Sequence, residues 1–421
     1  MATEQQTETT DVLIVGGGPA GLAAAVALRR LGTGKVTVVD RELSLGGTPR
    51  LCEHTGFGLR DLHRLFDGPG YVRHYVQQAE RAGVELRPGT SITGWQSPTQ
   101  LDYTSPRGLG QIEARAVILA TGCRERPRPA RLVPGNRPQG VFTTGSLQRF
   151  VHEQKLPVGR LAVIVGAEIV SLSAVMTLRH AHVPIARMVT EHRAHQIYLP
   201  YLPMKWYLMD ILASVPLSTL AHVTGIVGRN RIEGVEITHQ GSGQVEQIAC
   251  DTVIFTGDWI PEHELARLGG LELDPGTHGP CADGSFRTSV AGVFAVGNLL
   301  RGSETADVSA MEGLRSAHGV AAFLESGVWS ERRLPVEVAA PLDWVFPNSI
   351  AGGAERLPFD RFTFRVQHFC NRARVSVHQG ARRLHTQSYA RLGPNRSYTL
   401  PSQWLETVDP TGGRLKIAIE R

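Results

Sequence analysis

Residues 16–21 read Gly16-Gly17-Gly18-Pro19-Ala20-Gly21, directly after the apolar run Val12 to Val15, and Asp40 follows 24 residues after Gly16. Glycine at 16 permits a tight turn, and glycine at 18 lets a phosphate approach bare backbone. Glycine at 21 lets a helix pack against a strand. The start of that helix offers unpaired N–H groups and the positive end of its dipole to an anion. A carboxylate closing the next strand, here Asp40, is placed to accept hydrogen bonds from a ribose. The chemistry is dinucleotide binding.

A second stretch repeats this plan with most of its glycines replaced. Gly166-Ala167-Glu168-Ile169-Val170-Ser171 keeps only the first glycine of the pattern, and Glu191 stands 25 residues after Gly166. Glu168 is expected to set a side chain and a negative charge where a pyrophosphate needs bare backbone. Two like charges about 4 Å apart cost about 1 kcal/mol in water and several at a partly buried site. That is about tenfold to a thousandfold in affinity.

The elements that must position these groups follow from the pattern. Residues 12–15 form a buried strand, the alanine-rich run to Leu31 a helix, and 35–39 a second strand. Residues 71–82 form a helix and 84–86 and 111–119 strands, the last ending in Ala120-Thr121-Gly122. Residues 124–138, rich in Pro and Arg, are a linker by composition. The second plan has a strand at 161–165, a helix at 170–180 and a strand at 185–190, then strand-rich sequence over 215–256. Residues 288–298 give a turn, a buried strand and Gly297-Asn298, and 306–324 a helix. From 362 onward, alternation at 362–366, 373–378, 383–392 and 414–419 predicts a small all-β module after a Pro/Gly-rich linker at 331–361. Residues 1–10 are polar and expected to be disordered, with no secretory signal pattern.

Composition narrows the class. The 421 residues are 42% hydrophobic and 20% charged, as in a globular protein of two or three domains. No apolar run approaches a membrane span, and a cytoplasmic location is expected. The five cysteines, at 52, 123, 250, 281 and 370, have no close pair. This spacing argues against a redox dithiol, a zinc site or an iron–sulfur cluster, and no metal is expected. The net charge of +5 is concentrated at the end, where residues 371–421 carry nine Lys/Arg against three Asp/Glu. A solvated basic face explains this, and no nucleic-acid partner is expected.

Three separated motifs, Gly16 to Gly21, Ala120-Thr121-Gly122 and Gly292-Val293-Phe294-Ala295-Val296-Gly297-Asn298, resemble the fingerprints of flavoproteins related to the pyridine-nucleotide-disulfide reductases. The resemblance spans about residues 11–325. It implies an α/β fold with two Rossmann-like three-layer dinucleotide-binding domains, glutathione-reductase-like, plus the C-terminal all-β module. The FAD domain would be discontinuous, 11–125 and 276–330, with the NAD(P)-binding-like domain inserted at 126–275 and the β module at 362–421. It also implies FAD as cofactor, held by Gly16, Gly18, Pro19, Ala20, Gly21, Asp40, Arg41, Gly46, Gly47, Ala120, Thr121, Gly122, Gly297, Asn298 and Thr305. The loop from Gly46 to Gly58, with Cys52-Glu53-His54, resembles a subgroup associated with glycerol-3-phosphate, opine or proline dehydrogenases as flavoprotein subunits.

The departures from that family direct the reading of function. A disulfide reductase needs two cysteines beside the flavin, and this loop supplies Cys52 alone, which excludes dithiol chemistry. Asn298 stands where the family has Asp, and its amide oxygen is expected to reach a ribityl hydroxyl. In the family arrangement the loop lies against the flavin, making Cys52 and His54 candidates for substrate or proton handling. His has a pKa suited to accepting a proton; ordering the loop is the alternative role for His54 and filling space for Cys52. The expected activity is an FAD-dependent oxidoreductase that oxidises a small substrate or exchanges electrons with a second flavoprotein dehydrogenase subunit, without direct NAD(P)H use. An NAD(P)H-dependent flavin reductase, supported by Glu191, and a non-catalytic FAD-binding scaffold are the alternatives.

Overall fold

The computed structural model describes residues 7–197, 202–212, 214–330, 333–351, 357 and 359–420. The chain divides into two compact units. The first comprises Met1–Arg50, Thr55–Arg124 and Pro261–Arg421; the second comprises Leu51–His54 and Glu125–Ile260.

The first unit begins with strand β1 (Thr7–Val15), helix α1 (Pro19–Arg30) and strand β2 (Val36–Asp40). Helix α2 (Gly68–Arg81) and strand β3 (Gly108–Leu119) follow. β1 lies parallel between β2 and β3 and is buried on both faces, which explains its unbroken apolar run. Alanine dominates α1 because most of the helix is buried, and Pro19 starts it where no N–H partner is needed. α2 starts three residues before the expected Tyr71. The Asp67 carboxylate caps it by accepting the Gly70 N–H at 2.6 Å.

The second unit carries strand β4 (Ala162–Val165), helix α3 (Ile169–His180), strand β5 (Ile185–Val189) and strand β6 (Thr252–Phe255). β4 pairs in parallel with β5 and β6 at the centre of a five-stranded sheet. Three antiparallel strands at Ala221–Val227, Gly234–His239 and Val245–Ala249 form a separate meander. Residues 124–138, expected as a linker, are more ordered than composition implies. The buried Arg128 guanidinium donates to the Val133 carbonyl at 3.1 Å and the Pro134 carbonyl at 2.6 Å.

Back in the first unit, strand β7 (Val293–Ala295) joins the edge of β3 in parallel, and helix α4 (Ala306–Ser326) packs on α1. That crossing is close: a Cβ on Gly313 would run into the Ala20 carbonyl.

Two expected boundaries shift. Thr7–Thr10 belong to β1 rather than to a disordered tail, because Glu8 pairs with Arg87 and accepts from the Tyr103 hydroxyl at 2.6 Å. Residues 333–351, expected as linker, form strands Arg333–Val338, Leu342–Phe346 and Ser349–Ala351. The prolines that gave the segment a linker composition sit beside these strands or on an exposed strand position, while Leu334 and Val336 alternate inward. These strands join Arg361–Val366, Cys370–Gln379, Arg382–Leu392, Tyr398–Pro401 and Leu415–Glu420 in two sheets, of five and three strands. Phe362, Phe364, Val375, Val377, Leu400 and Ile417 fill one core between them.

Candidate functional site

The turn between β1 and α1 is built as its glycines require. Gly16 has φ +116°, donates to the Val39 carbonyl at 2.9 Å, and a Cβ there would collide with the Ala120 carbonyl. A Cβ on Gly21 would run into the carbonyl of Gly16, so this glycine sets the approach of helix to strand. Gly18 differs. A Cβ there would meet only the Gly47 Cα, at 4.0 Å, and Gly18 caps α1 without any side-chain acceptor. The first N–H groups of the helix, at Ala20 and Gly21, have no intrahelical acceptor and are available to an anion approaching past Gly18.

The other expected residues gather around this turn. The Asp40 carboxylate accepts the Gly17 N–H at 2.7 Å and the Glu42 N–H at 2.8 Å, one per oxygen, keeping a lone pair on each for a ribose hydroxyl. Gly46 donates to the Gly17 carbonyl at 2.7 Å, and Gly47 lies against Gly18 and Pro19. Arg41 is exposed and stands 3.7 Å from Glu262. Ala120 donates to the Val15 carbonyl, and the Thr121 hydroxyl donates to the Glu262 carbonyl at 2.8 Å. At Gly122, with φ +77°, no atom lies within 4 Å of where a Cβ would stand.

The third motif is held from beneath by a buried ion pair. Gly297 donates to Glu312 at 3.2 Å, and Glu312 pairs with Arg301, whose guanidinium lies 4.7 Å from the centre of the Phe346 ring. Asn298 is bonded within its own loop. Its amide oxygen already accepts the Glu304 N–H at 2.8 Å and the Ser309 hydroxyl at 3.1 Å, so both lone pairs serve the loop itself. Thr305 caps α4 at its backbone, with a buried hydroxyl that makes no hydrogen bond.

Sequence reasoning missed two clusters here. The Tyr71 and Tyr75 hydroxyls, one turn apart on α2, both donate to Asp61, at 2.5 and 2.7 Å. Glu304 receives Arg365 and Ser397 from the C-terminal β module, tying it to the loop that follows the third motif. The four-residue spacing of the tyrosines is visible in the sequence; the long-range partners of Glu304 are not.

In the second unit, Glu168 stands where Gly18 stands in the first, with nearly the same backbone (φ −98°, ψ −176° against φ −80°, ψ −175°). Its side chain, however, turns inward. The carboxyl is 4% exposed and packs against Gly257 and Thr256, and burial pushes its pKa up to about 7. The expected picture of an outward charge in the path of a pyrophosphate is thereby corrected: the charge, where present, lies beneath the turn. Ser171 replaces the third glycine, and its hydroxyl donates to the Glu168 carbonyl at 2.5 Å. Glu191 is exposed beyond the end of β5.

Cys52 and His54 both lie in the second unit. Cys52 is buried with its sulfur 3.5 Å from the Gln148 amide nitrogen, and burial pushes the thiol up to about 12. It is a neutral thiol near neutral pH and a poor nucleophile. His54 is half-buried, its Nε2 2.9 Å from the Ser173 hydroxyl on α3. No helix among the described residues is long and apolar enough to cross a membrane.

Comparison with known proteins agrees with this architecture. Residues 10–313 match the model of the pyridine nucleotide-disulphide oxidoreductase family. An opine oxidase subunit of Agrobacterium tumefaciens is 27% identical over 327 residues, covering 71% of this chain and 63% of the relative. The corresponding opine oxidase subunit of Rhizobium meliloti is 27% identical over 332 residues, covering 72% and 61%. This chain thus spans less than two thirds of the length of either relative. Among solved structures, thioredoxin reductase of T. acidophilum aligns with a TM-score of 0.61 at 20% identity, covering 76% of this chain and all of that one. The chain belongs to the pyridine nucleotide-disulphide oxidoreductase family, and is an FAD-dependent flavoenzyme of that family.

Proposed function

We propose that this chain is the flavin-bearing partner in an oxidoreductase that oxidises a small amino-acid-derived amine, without dithiol chemistry and without direct reduction by NAD(P)H. The observation that carries the reading is the contrast between the two dinucleotide turns. Gly18 leaves its turn open to an anion, whereas the Gly166–Ser171 turn carries Glu168 and Ser171 in place of two glycines, with the Glu168 carboxyl buried beneath it. Above about pH 7 that carboxyl adds a negative charge beneath the place a second pyrophosphate would occupy.

Bound FAD supplies the acceptor for a pair of electrons and a proton equivalent. The chain's own part is to hold and to order. The uncapped start of α1 and the bare Gly18 receive the pyrophosphate, and Asp40 receives the ribose. His54 is the residue proposed to hold a proton, at the Nε2 bonded to Ser173. Cys52 stays protonated and packs.

The substrate class rests on the relatives named as opine oxidase subunits, since opines are N-substituted amino acids. Their description as subunits supports a second, partner subunit for this chain. A specific observation favours the competing reading of an NAD(P)H-dependent reductase: Glu191 is exposed beyond β5, where a ribose would lie.

The experiment is anaerobic incubation of the FAD-loaded protein with a panel of N-substituted amino acids, alone and with its co-purified subunit. Loss of the visible flavin band with one of these amines supports the reading. Loss of the band with NADH or NADPH alone overturns it in favour of the reductase.

A further inference from the structure

Outside the flavin site, the second unit brings together three side chains that the cysteine spacing could not have flagged. Glu53 lies on the short segment Leu51–His54, His152 on the helical turn Arg149–Glu153, and His180 at the end of α3. One ligand atom from each falls within 4.8 Å of the others.

The tautomer of His152 can be derived. Its Nε2 is 3.4 Å from the Thr177 hydroxyl, and that hydroxyl donates its only proton to the Ser173 carbonyl at 2.9 Å. The Thr177 oxygen must therefore accept, and Nε2 must carry the hydrogen. In neutral imidazole this leaves Nδ1 as a lone pair. Nδ1 is buried, makes no hydrogen bond, and lies 3.1 Å from a Glu53 carboxylate oxygen. A carboxylate oxygen and an imidazole nitrogen at that distance hold a cation between them, either a proton on Nδ1 or a metal ion.

Their separation is that of two ligands on one ion. Bonds of about 2.0–2.1 Å at tetrahedral angles put neighbouring ligand atoms about 3.3 Å apart. The His180 ring centre is 5.0 Å from that of His152, and His180 is exposed, free to turn toward the same point. It stands at the C-terminal end of α3, where the helix dipole favours positive charge. The Thr177 contact to the far ring nitrogen is the outer support that histidine ligands commonly have. The competing cation is Lys155, 3.7 Å from the other Glu53 oxygen in an exposed pair of the kind worth little.

We propose that Glu53, His152 and His180 form a binding site for a divalent transition-metal ion of the zinc type. The ion fastens the Leu51–His54 segment to the two helical elements that carry the histidines. Cys52 and His54 flank the ligand Glu53 in sequence, so occupancy orders the segment that carries His54.

The test is calorimetric titration of the chelator-treated full chain with Zn²⁺, and absorption titration with Co²⁺, whose visible bands report coordination geometry. The expected result is one equivalent bound, with tetrahedral-type cobalt bands. Losing an outer support weakens metal binding about 10- to 100-fold, which is the effect expected of Thr177→Val, a variant that keeps all three ligands. Glu53→Gln and the exposed His180→Ala should each weaken binding by about a hundredfold or more, extending that scale to direct ligands. Binding that survives all three variants would place the ion elsewhere and overturn the assignment. So would the absence of a one-equivalent event in the native chain.

Discussion

Replacing Glu168 with Gln should reshape the pH dependence of stability in a way that can be worked out in advance. The carboxyl is buried beneath the second dinucleotide turn, and burial holds its pKa at about 7 against an ordinary 4.5. Between those two values the folded chain keeps a proton that the unfolded chain releases. The stabilisation linked to that proton is therefore complete below pH 4.5 and is lost as pH rises through about 7. At 1.36 kcal/mol per pKa unit, the loss is about 3 kcal/mol, an upper figure for a carboxyl that also accepts from Thr256. Gln fills the same space and cannot ionise. Urea unfolding of both proteins from pH 4.5 to 8 is the assay. Subtracting one curve from the other cancels the titrating groups not coupled to Glu168; buried Glu125 is the coupled carboxyl that remains. The Gln variant should gain on the native protein steadily up to about pH 7 and hold that gain above it. A pH-independent difference would refute the buried, proton-bearing carboxyl beneath the second turn.

Three further outcomes are expected. Gly18→Val puts a side chain into the open cradle at a backbone angle any residue adopts; the purified variant should be folded by circular dichroism and nearly free of flavin absorbance. Glu312→Gln takes the nearer of two counter-charges from buried Arg301, leaving Glu304 at 3.9 Å, and should cost up to about 3–5 kcal/mol in chemical unfolding, partly recovered by adding Arg301→Met. Cys52, with its thiol held up to about 12, should resist alkylation in the native protein at pH 8 and react after unfolding, and Cys52→Ala should leave flavin reduction intact.

What the sequence made legible was the local geometry with a strict residue requirement. The first turn was readable because only glycine fits at 16 and 21, where a Cβ would strike a carbonyl, and because nothing but open space explains Gly18. The strands beside it were readable because burial on both faces leaves an apolar run. The direction of the Glu168 side chain was not legible, since a glutamate at a helix start points outward or inward depending on space near residues 256 and 257, far along the chain. The partners of Asn298 were not legible for a similar reason: its oxygen accepts from Glu304 and Ser309, a partnership set by how the loop closes. The linker expected at 331–361 followed from its prolines and glycines, whereas the inward alternation of Leu334 and Val336 outweighed them once partner strands were present. The Glu53, His152 and His180 cluster joins residues up to 127 positions apart and follows no spacing rule.

The central claim is that electrons reach this flavin from an amine substrate or a partner rather than from a nicotinamide. Its most direct test is anaerobic stopped-flow mixing of the FAD-loaded protein with NADH and then with NADPH. The account predicts an unchanged flavin spectrum over seconds, with dithionite still bleaching it. Rapid bleaching by either nucleotide would show that the turn over Glu168 accepts a pyrophosphate, and would contradict the account.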